Sequence, residues 1–153
     1  MKIKFWKTQE PYGEFSNFYP SPMIINGKSY ATVEHYYQSQ KFKGTEFEEI
    51  VRTQSTARKA KNITKTEEAK FFFREDWVDI KFIVMSTGLF HKFKIERFRN
   101  LLLSTGNKEI IEDSPYDYYW GCGADDTGKN VLGKLIMGVR ENIKESNKNK
   151  FIG

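Results

Sequence analysis

The sequence predicts an α+β fold: a single helix-rich domain over residues 1–153 with a small β-sheet built around a hairpin. Three observations predict it. The early runs "KIKFW" and "MIINGKSY" have the two-residue alternation or the β-prone composition of strands, whereas beyond Thr32 the apolar residues recur mostly at helical spacing. The chain has 153 residues, of which 39% are hydrophobic and 16% aromatic, which suits one globular domain with a buried core. No internal repeat, linker or low-complexity stretch divides it.

Each element follows in order. Ile3 and Phe5 alternate with lysines, which reads as a short strand. "PYGEFSNFYPSP" is loop, dense in proline and aromatics. Asn26-Gly27 between two β-prone runs is a strong local hairpin signal. Thr32 then caps an opening helix, "TVEHYYQSQKF". "TEFEEIVRT" is a second helix, with Thr45 as cap and Glu48 completing a capping box. "STARKAKN" is a third, capped by Ser55. From Lys65 to Phe93 the apolar spacing is helical, with a break near Asp76. "KIERFRNLLLSTG" is a helix ended by Gly106, and "KEIIED" a short strand. A second aromatic and glycine loop, "YDYYWGCGADDTGKN", leads into a closing helix from Val131, with residues 147–153 expected to fray.

Composition limits the function. A formal charge of +5 favours a phosphate-bearing partner, nucleic acid included, although the lysines form no single block. The one cysteine, Cys122, excludes an intramolecular disulfide framework and fits a reducing cytoplasm. The start "MKIKFWKTQE" has no apolar leader and no run approaches 18 apolar residues, so neither export nor membrane insertion is expected.

The opening helix is unusual. At about 100° per residue, Glu34, Gln38 and Lys41 share one narrow polar stripe, flanked by Tyr37 on one side and by His35 and Phe42 on the other. Complementing the helix dipole would explain Glu34 and Lys41 by themselves. It accounts for neither Gln38 nor the aromatic flanks. The glycine loop holds a decoy: "GADDTGKN", Gly123–Asn130, nearly matches a nucleotide phosphate loop. Asn130 lacks the hydroxyl for magnesium, however, and Asp125 and Asp126 would face phosphate. A glycine turn entering a helix still offers backbone N–H groups to an anion. His35, His91 and Cys122 are not spaced as zinc ligands, so no metal is expected, and no cofactor.

Two longer stretches, "GEFSNFYPSPMIINGKSYATVEHYYQSQKF" and "YWGCGADDTGKNVLGKLIM", with the region around Trp77, resemble the motifs of the NADAR family in order and spacing across essentially the whole chain. One departure stands out. Cys122 occupies a position where relatives often carry an acid, whose role would here pass to Asp126 or be absent.

The resemblance implies an N-glycosidase acting on phosphoribosylamine intermediates of riboflavin synthesis, releasing ribose 5-phosphate and an aminopyrimidine. It also implies two alternatives: removal of ADP-ribose from guanine in DNA or RNA, or a non-catalytic NAD or ADP-ribose binding module. Both reactions break a ribose C1–N bond, which leaves positive charge on C1 for a carboxylate to stabilise. Glu34 is then the catalytic carboxylate. Lys41 is the catalytic amine, as phosphate neutraliser, proton donor or Schiff-base former. The two lie two turns apart, roughly 10 Å along the axis, so they would flank a ligand. Tyr37, Phe18 and Trp120 are expected to stack on the base, and Asn17 and Gln38 to read its edges. Trp77 joins them by family likeness, with core packing an equal reading. Arg58 and the turn Gly128–Asn130 are the phosphate candidates, beside Gly121 and Asp126 of the glycine loop. The expected partner is a small phosphoribosyl molecule or ADP-ribose, with nucleic acid under the first alternative and no membrane.

Overall fold

The computed structural model describes residues 1–152, with side chains to 150. The fold is α+β, as predicted. Its elements are β1 (Lys2–Phe5), β2 (Met23–Ile25), β3 (Lys28–Tyr30), α1 (Val33–Gln40), α2 (Glu46–Arg52), α3 (Ala57–Ile63), α4 (Trp77–Lys92), α5 (Glu96–Ser104), β4 (Glu109–Glu112) and α6 (Val131–Ile152). Short 3₁₀ turns cover Gly13–Phe15 and Glu68–Phe72. The chain groups into two compact units: Met1–Ser16 with everything from Phe93 onward, and Asn17–Lys92 between them. The segment 147–153, expected to fray, continues α6 as far as Ile152; Gly153 lies outside the described residues.

In the first unit, β1 pairs in parallel with β4, Ile3 opposite Ile110 and Phe5 opposite Glu112. The alternation read from the sequence holds, since Ile3 and Phe5 are buried while Lys2 and Lys4 are exposed. α6 lies against β4 at very close range: a Cβ on Gly133 would sit 2.2 Å from the Ile110 carbonyl oxygen. Only glycine permits that approach. Arg140, almost fully buried, donates from Nη1 to Thr105 Oγ1 and to the Lys108 carbonyl, both at 2.8 Å. It fastens α6 to the turn between α5 and β4.

The second unit carries the hairpin and the first four helices. β2 and β3 pair antiparallel around Asn26 and Gly27, whose φ angles of 51° and 79° are what a tight hairpin turn demands. α1 begins where predicted, with Thr32 Oγ1 accepting from the His35 N–H. Two local expectations are corrected. The cap of α3 is Thr56, which accepts from the Lys59 N–H, while the Ser55 hydroxyl accepts from the Lys59 ammonium. Thr45 caps α2, but Glu48 does not complete a capping box, because its carboxylate is drawn to Lys28 Nζ at 3.2 Å. Of the stretch from Lys65 to Phe93 expected to be helical, the part before the break near Asp76 holds only the 3₁₀ turn Glu68–Phe72, and the regular helix is α4 from Trp77. Phe42, Phe47, Val51, Ala60 and Ala69 form a tight apolar cluster with Ile63 and Phe72 against it.

Candidate active site

α1 has no solvent face. All eight residues are buried, Glu34, His35, Gln38, Ser39 and Gln40 among them, and the helix packs against α2, α3 and α4. Burying polar groups is costly unless they are bonded, so each one asks for a partner. His35 is answered structurally. Its Nε2 faces the Gln54 carbonyl at 2.8 Å and therefore carries the proton, which leaves Nδ1 to accept from the Thr32 hydroxyl, also at 2.8 Å. Ser39 donates to the Tyr36 carbonyl. Gln40 donates from Nε2 to the Ser39 hydroxyl. Glu34 and Gln38 belong to the predicted stripe.

Gln38 Nε2 donates to Glu34 Oε1 at 2.7 Å, which holds that carboxylate in place. The Glu34 N–H is met by the Asn17 carbonyl at 3.1 Å, fixing the loop ahead of the hairpin onto the first turn of α1. Asn17 Nδ2 donates to Met85 Sδ on α4. Two acceptors are left over: among the described residues, the buried Asn17 Oδ1 and Gln38 Oε1 have no donor. An unmet buried acceptor costs about 1–3 kcal/mol, so ligand N–H groups would be strongly welcomed there.

Lys41 closes α1 at its C-terminal end. Its Nζ lies 5.6 Å from the Tyr37 ring centre and 5.7 Å from that of Trp77. These rings meet edge to face with centroids 5.0 Å apart. Burial is the largest influence on the Lys41 amine and pushes its pKa below the usual lysine range; Glu34 opposes the shift, while Lys61, Lys65 and Lys81 reinforce it. Phe18 lies under Lys61, whose Nζ is 6.0 Å from the ring centre. The second unit thus brings together Asn17, Glu34, Tyr37, Gln38, Lys41 and Trp77. Arg58 is exposed on α3, one turn before Lys61.

Trp120, Gly121, Asp126, Gly128 and Asn130 belong to the first unit. There the glycine turn is closed on itself. The N–H groups of Gly128, Lys129, Asn130, Val131 and Leu132 donate respectively to the carbonyls of Cys122, Tyr118, Gly121, Tyr119 and Trp120, at 2.7–3.1 Å. The helix start that the sequence offers to an anion is therefore already occupied by backbone. The Asn130 side chain is also committed, accepting from the Glu112 N–H and donating to the Ile110 carbonyl. Asp126, Gly128 and Asn130 line a cleft with Lys2, Lys4 and Cys122. Asp113, Cys122 and Asp126 bring three ligand-type atoms within 4.8 Å of one another. The thiol donates to Asp113 Oδ1 at 3.4 Å. Burial first, then Asp113 and Asp126, push its pKa up to about 11, so it is no thiolate nucleophile at neutral pH.

The NADAR domain model matches residues 4–144. The chain belongs to the NADAR family. It is 40% identical over 148 residues to an N-glycosidase of Nostoc punctiforme, covering 94% of each chain. It is 37% identical to the N-glycosidase YbiA of Escherichia coli, covering 92% of this chain and 88% of that one. The NMR structure of the E. coli protein YbiA overlays with a TM-score of 0.85 at 35% identity, covering 96% of this chain and 89% of that one. A riboflavin biosynthesis protein of Vibrio vulnificus is 36% identical over 144 residues, which span only 39% of its own length. As a NADAR protein with such relatives, the chain is an N-glycosidase. Among the described residues, no helix is long and apolar enough to cross a membrane.

Sequence reading missed Met85, Lys61, Lys65 and Lys81, which surround the NADAR stripe. None carries a local signal. Each is brought there by packing of α3 and α4 beside α1.

Proposed function

We propose that this NADAR protein hydrolyses the ribose C1–N bond of a phosphoribosylamine intermediate of riboflavin biosynthesis, yielding ribose 5-phosphate and an aminopyrimidine. The observation that carries the reading is the buried Glu34–Gln38 pair on the same helix as a half-buried lysine flanked by two aromatic rings. The unmet oxygens of Asn17 and Gln38 suit the N–H edge of an aminopyrimidine. The riboflavin biosynthesis name of the Vibrio relative supports the same substrate class.

In the reaction, Glu34 lies beside the developing cation at C1 and lowers its energy. The depressed Lys41 amine suits covalent assistance. A ribosylamine opens to an imine at C1; the Lys41 amine adds to that carbon, and the aminopyrimidine leaves with a proton on its nitrogen. Water then hydrolyses the lysine imine, which returns the free amine and the sugar aldehyde. Borohydride added during turnover should fix the sugar on the Lys41 peptide, and Lys41→Arg should be inactive. If Arg supports turnover and nothing is trapped, direct attack by water replaces the imine. Independently, Glu34→Gln keeps the hydrogen bond to Gln38 but removes the charge, so kcat should drop about a hundredfold, the scale of losing one electrostatic stabiliser. Near-normal turnover in that folded variant overturns the assignment of Glu34.

A second reading, removal of ADP-ribose from guanine in nucleic acid, draws on the net charge of +5. It uses the same stripe in the same roles.

A further inference from the structure

We propose that Lys61, Lys65 and Lys81 form a phosphate-binding rim beside the Glu34–Lys41 stripe, in place of the glycine turn before α6. The inference rests on the stripe serving a sugar phosphate, and so on the reading above.

Three observations lead there. The turn at Gly128–Leu132 spends its N–H groups on the protein's own carbonyls, so it has none left to cradle an anion. In the second unit, positive charge collects instead. Lys61 lies in the last turn of α3, and Lys65 follows four residues later in a turn, its N–H bonded to the Asn62 carbonyl; both act through space on the Lys41 amine. Lys81 stands one turn beyond Trp77 on α4 and shares its face. Lys61 lies over Phe18, and Lys41 over Tyr37 and Trp77. The aromatic surfaces expected to hold the base are therefore edged by ammonium groups.

Among the described residues, neither Lys41, Lys61 nor Lys65 has a carboxylate within ion-pair distance. The nearby Glu67 is taken by Lys70 at 2.8 Å. All three rim lysines act on the Lys41 amine through space as like charges. Glu34 offsets part of this charge at Lys41, but the like charges of the three rim lysines still act on the amine and would be relieved by a bound dianion. A phosphate monoester carries about −1.5 to −2 at neutral pH, more than one ammonium offsets. Lysine suits the task as a mobile point charge. The rim would also explain how Lys41 is spared for chemistry, since the phosphate does not need it.

The test uses ribose 5-phosphate and ribose as probes, with binding followed by calorimetry. Lys61→Gln/Lys65→Gln and Lys81→Gln alter half-buried or exposed positions, so melting temperatures should hold. Ribose 5-phosphate should bind the double variant at least about tenfold more weakly, the scale of losing one charged hydrogen bond. Binding of ribose should not change. Lys59→Gln, on α3 but engaged with Ser55, serves as the control and should match the parent. With the phosphoribosylamine substrate, KM should rise by a similar factor while kcat stays within about twofold. A parent protein that ignores ribose 5-phosphate, or a double variant that binds it normally, overturns the rim. If binding follows the lysines but the parent cleaves no phosphoribosylamine, the rim stands and the substrate reading falls. If cleavage is normal and unaffected by the lysines, the reverse holds.

Discussion

At the scale of single residues, Lys41 works against the fold. Its amine is half-buried, has like charges as neighbours, and is held below the ordinary lysine range chiefly by burial. A lysine with a depressed folded-state pKa binds its proton less readily folded than unfolded. Its contribution to stability therefore improves with rising pH, between the depressed value and the unfolded value of about 10.4. Below that window the protonated amine is a net cost. Lys41→Met keeps the stem and deletes the charge, so it should melt higher than the parent at pH 7 while losing all turnover. Its advantage should shrink as the pH climbs through the window. A lower melting temperature at pH 7 would mean that the cation's contacts with Tyr37 and Trp77 outweigh its desolvation.

At the scale of elements, two tests follow from close geometry. Thr56→Ala should cost about 1 kcal/mol by uncapping α3, whereas Ser55→Ala should cost little, although both hydroxyls precede the same helix. Equal losses in urea titrations would show that Thr56 is not the cap. Gly133→Ala sets a methyl against the Ile110 carbonyl and should cost at least about 1–3 kcal/mol, the usual penalty of overpacking. How far the sequence could be read varies with the range of the cause. The hairpin at Asn26-Gly27 and the Thr32 cap were legible because their signals lie within four residues. The choice between Ser55 and Thr56 was not, since either hydroxyl fits the pattern and the Lys59 side chain decides. The pairing of Lys2 with Glu109 has no local signature at all. The same holds at the site. Glu34, Gln38 and Lys41 align by helix geometry alone, but their neighbours Met85, Lys61 and Lys81 arrive from other helices.

At the scale of the whole molecule, the net charge of +5 bears on which substrate the pocket serves. A positively charged protein attracts any phosphorylated partner, so charge by itself favours a nucleotide metabolite and a nucleic acid alike. Their responses to salt differ. A small phosphoribosylamine brings one phosphate to a rim of a few lysines. Screening at about 0.15 M salt confines such attraction to roughly 8 Å, and its KM should rise only a few-fold between 50 and 200 mM salt. A nucleic acid strand releases counterions from each neutralised phosphate, and six or more contacts would weaken binding about a thousandfold over the same range. Steady-state KM measured across that range on both substrates therefore separates them. We expect the shallow dependence on phosphoribosylamine, with kcat flat throughout because Glu34 and Lys41 act inside a buried stripe. A steep loss, seen only with ADP-ribosylated DNA or RNA and accompanied by faster turnover of that substrate, would transfer the pocket to the nucleic-acid reaction.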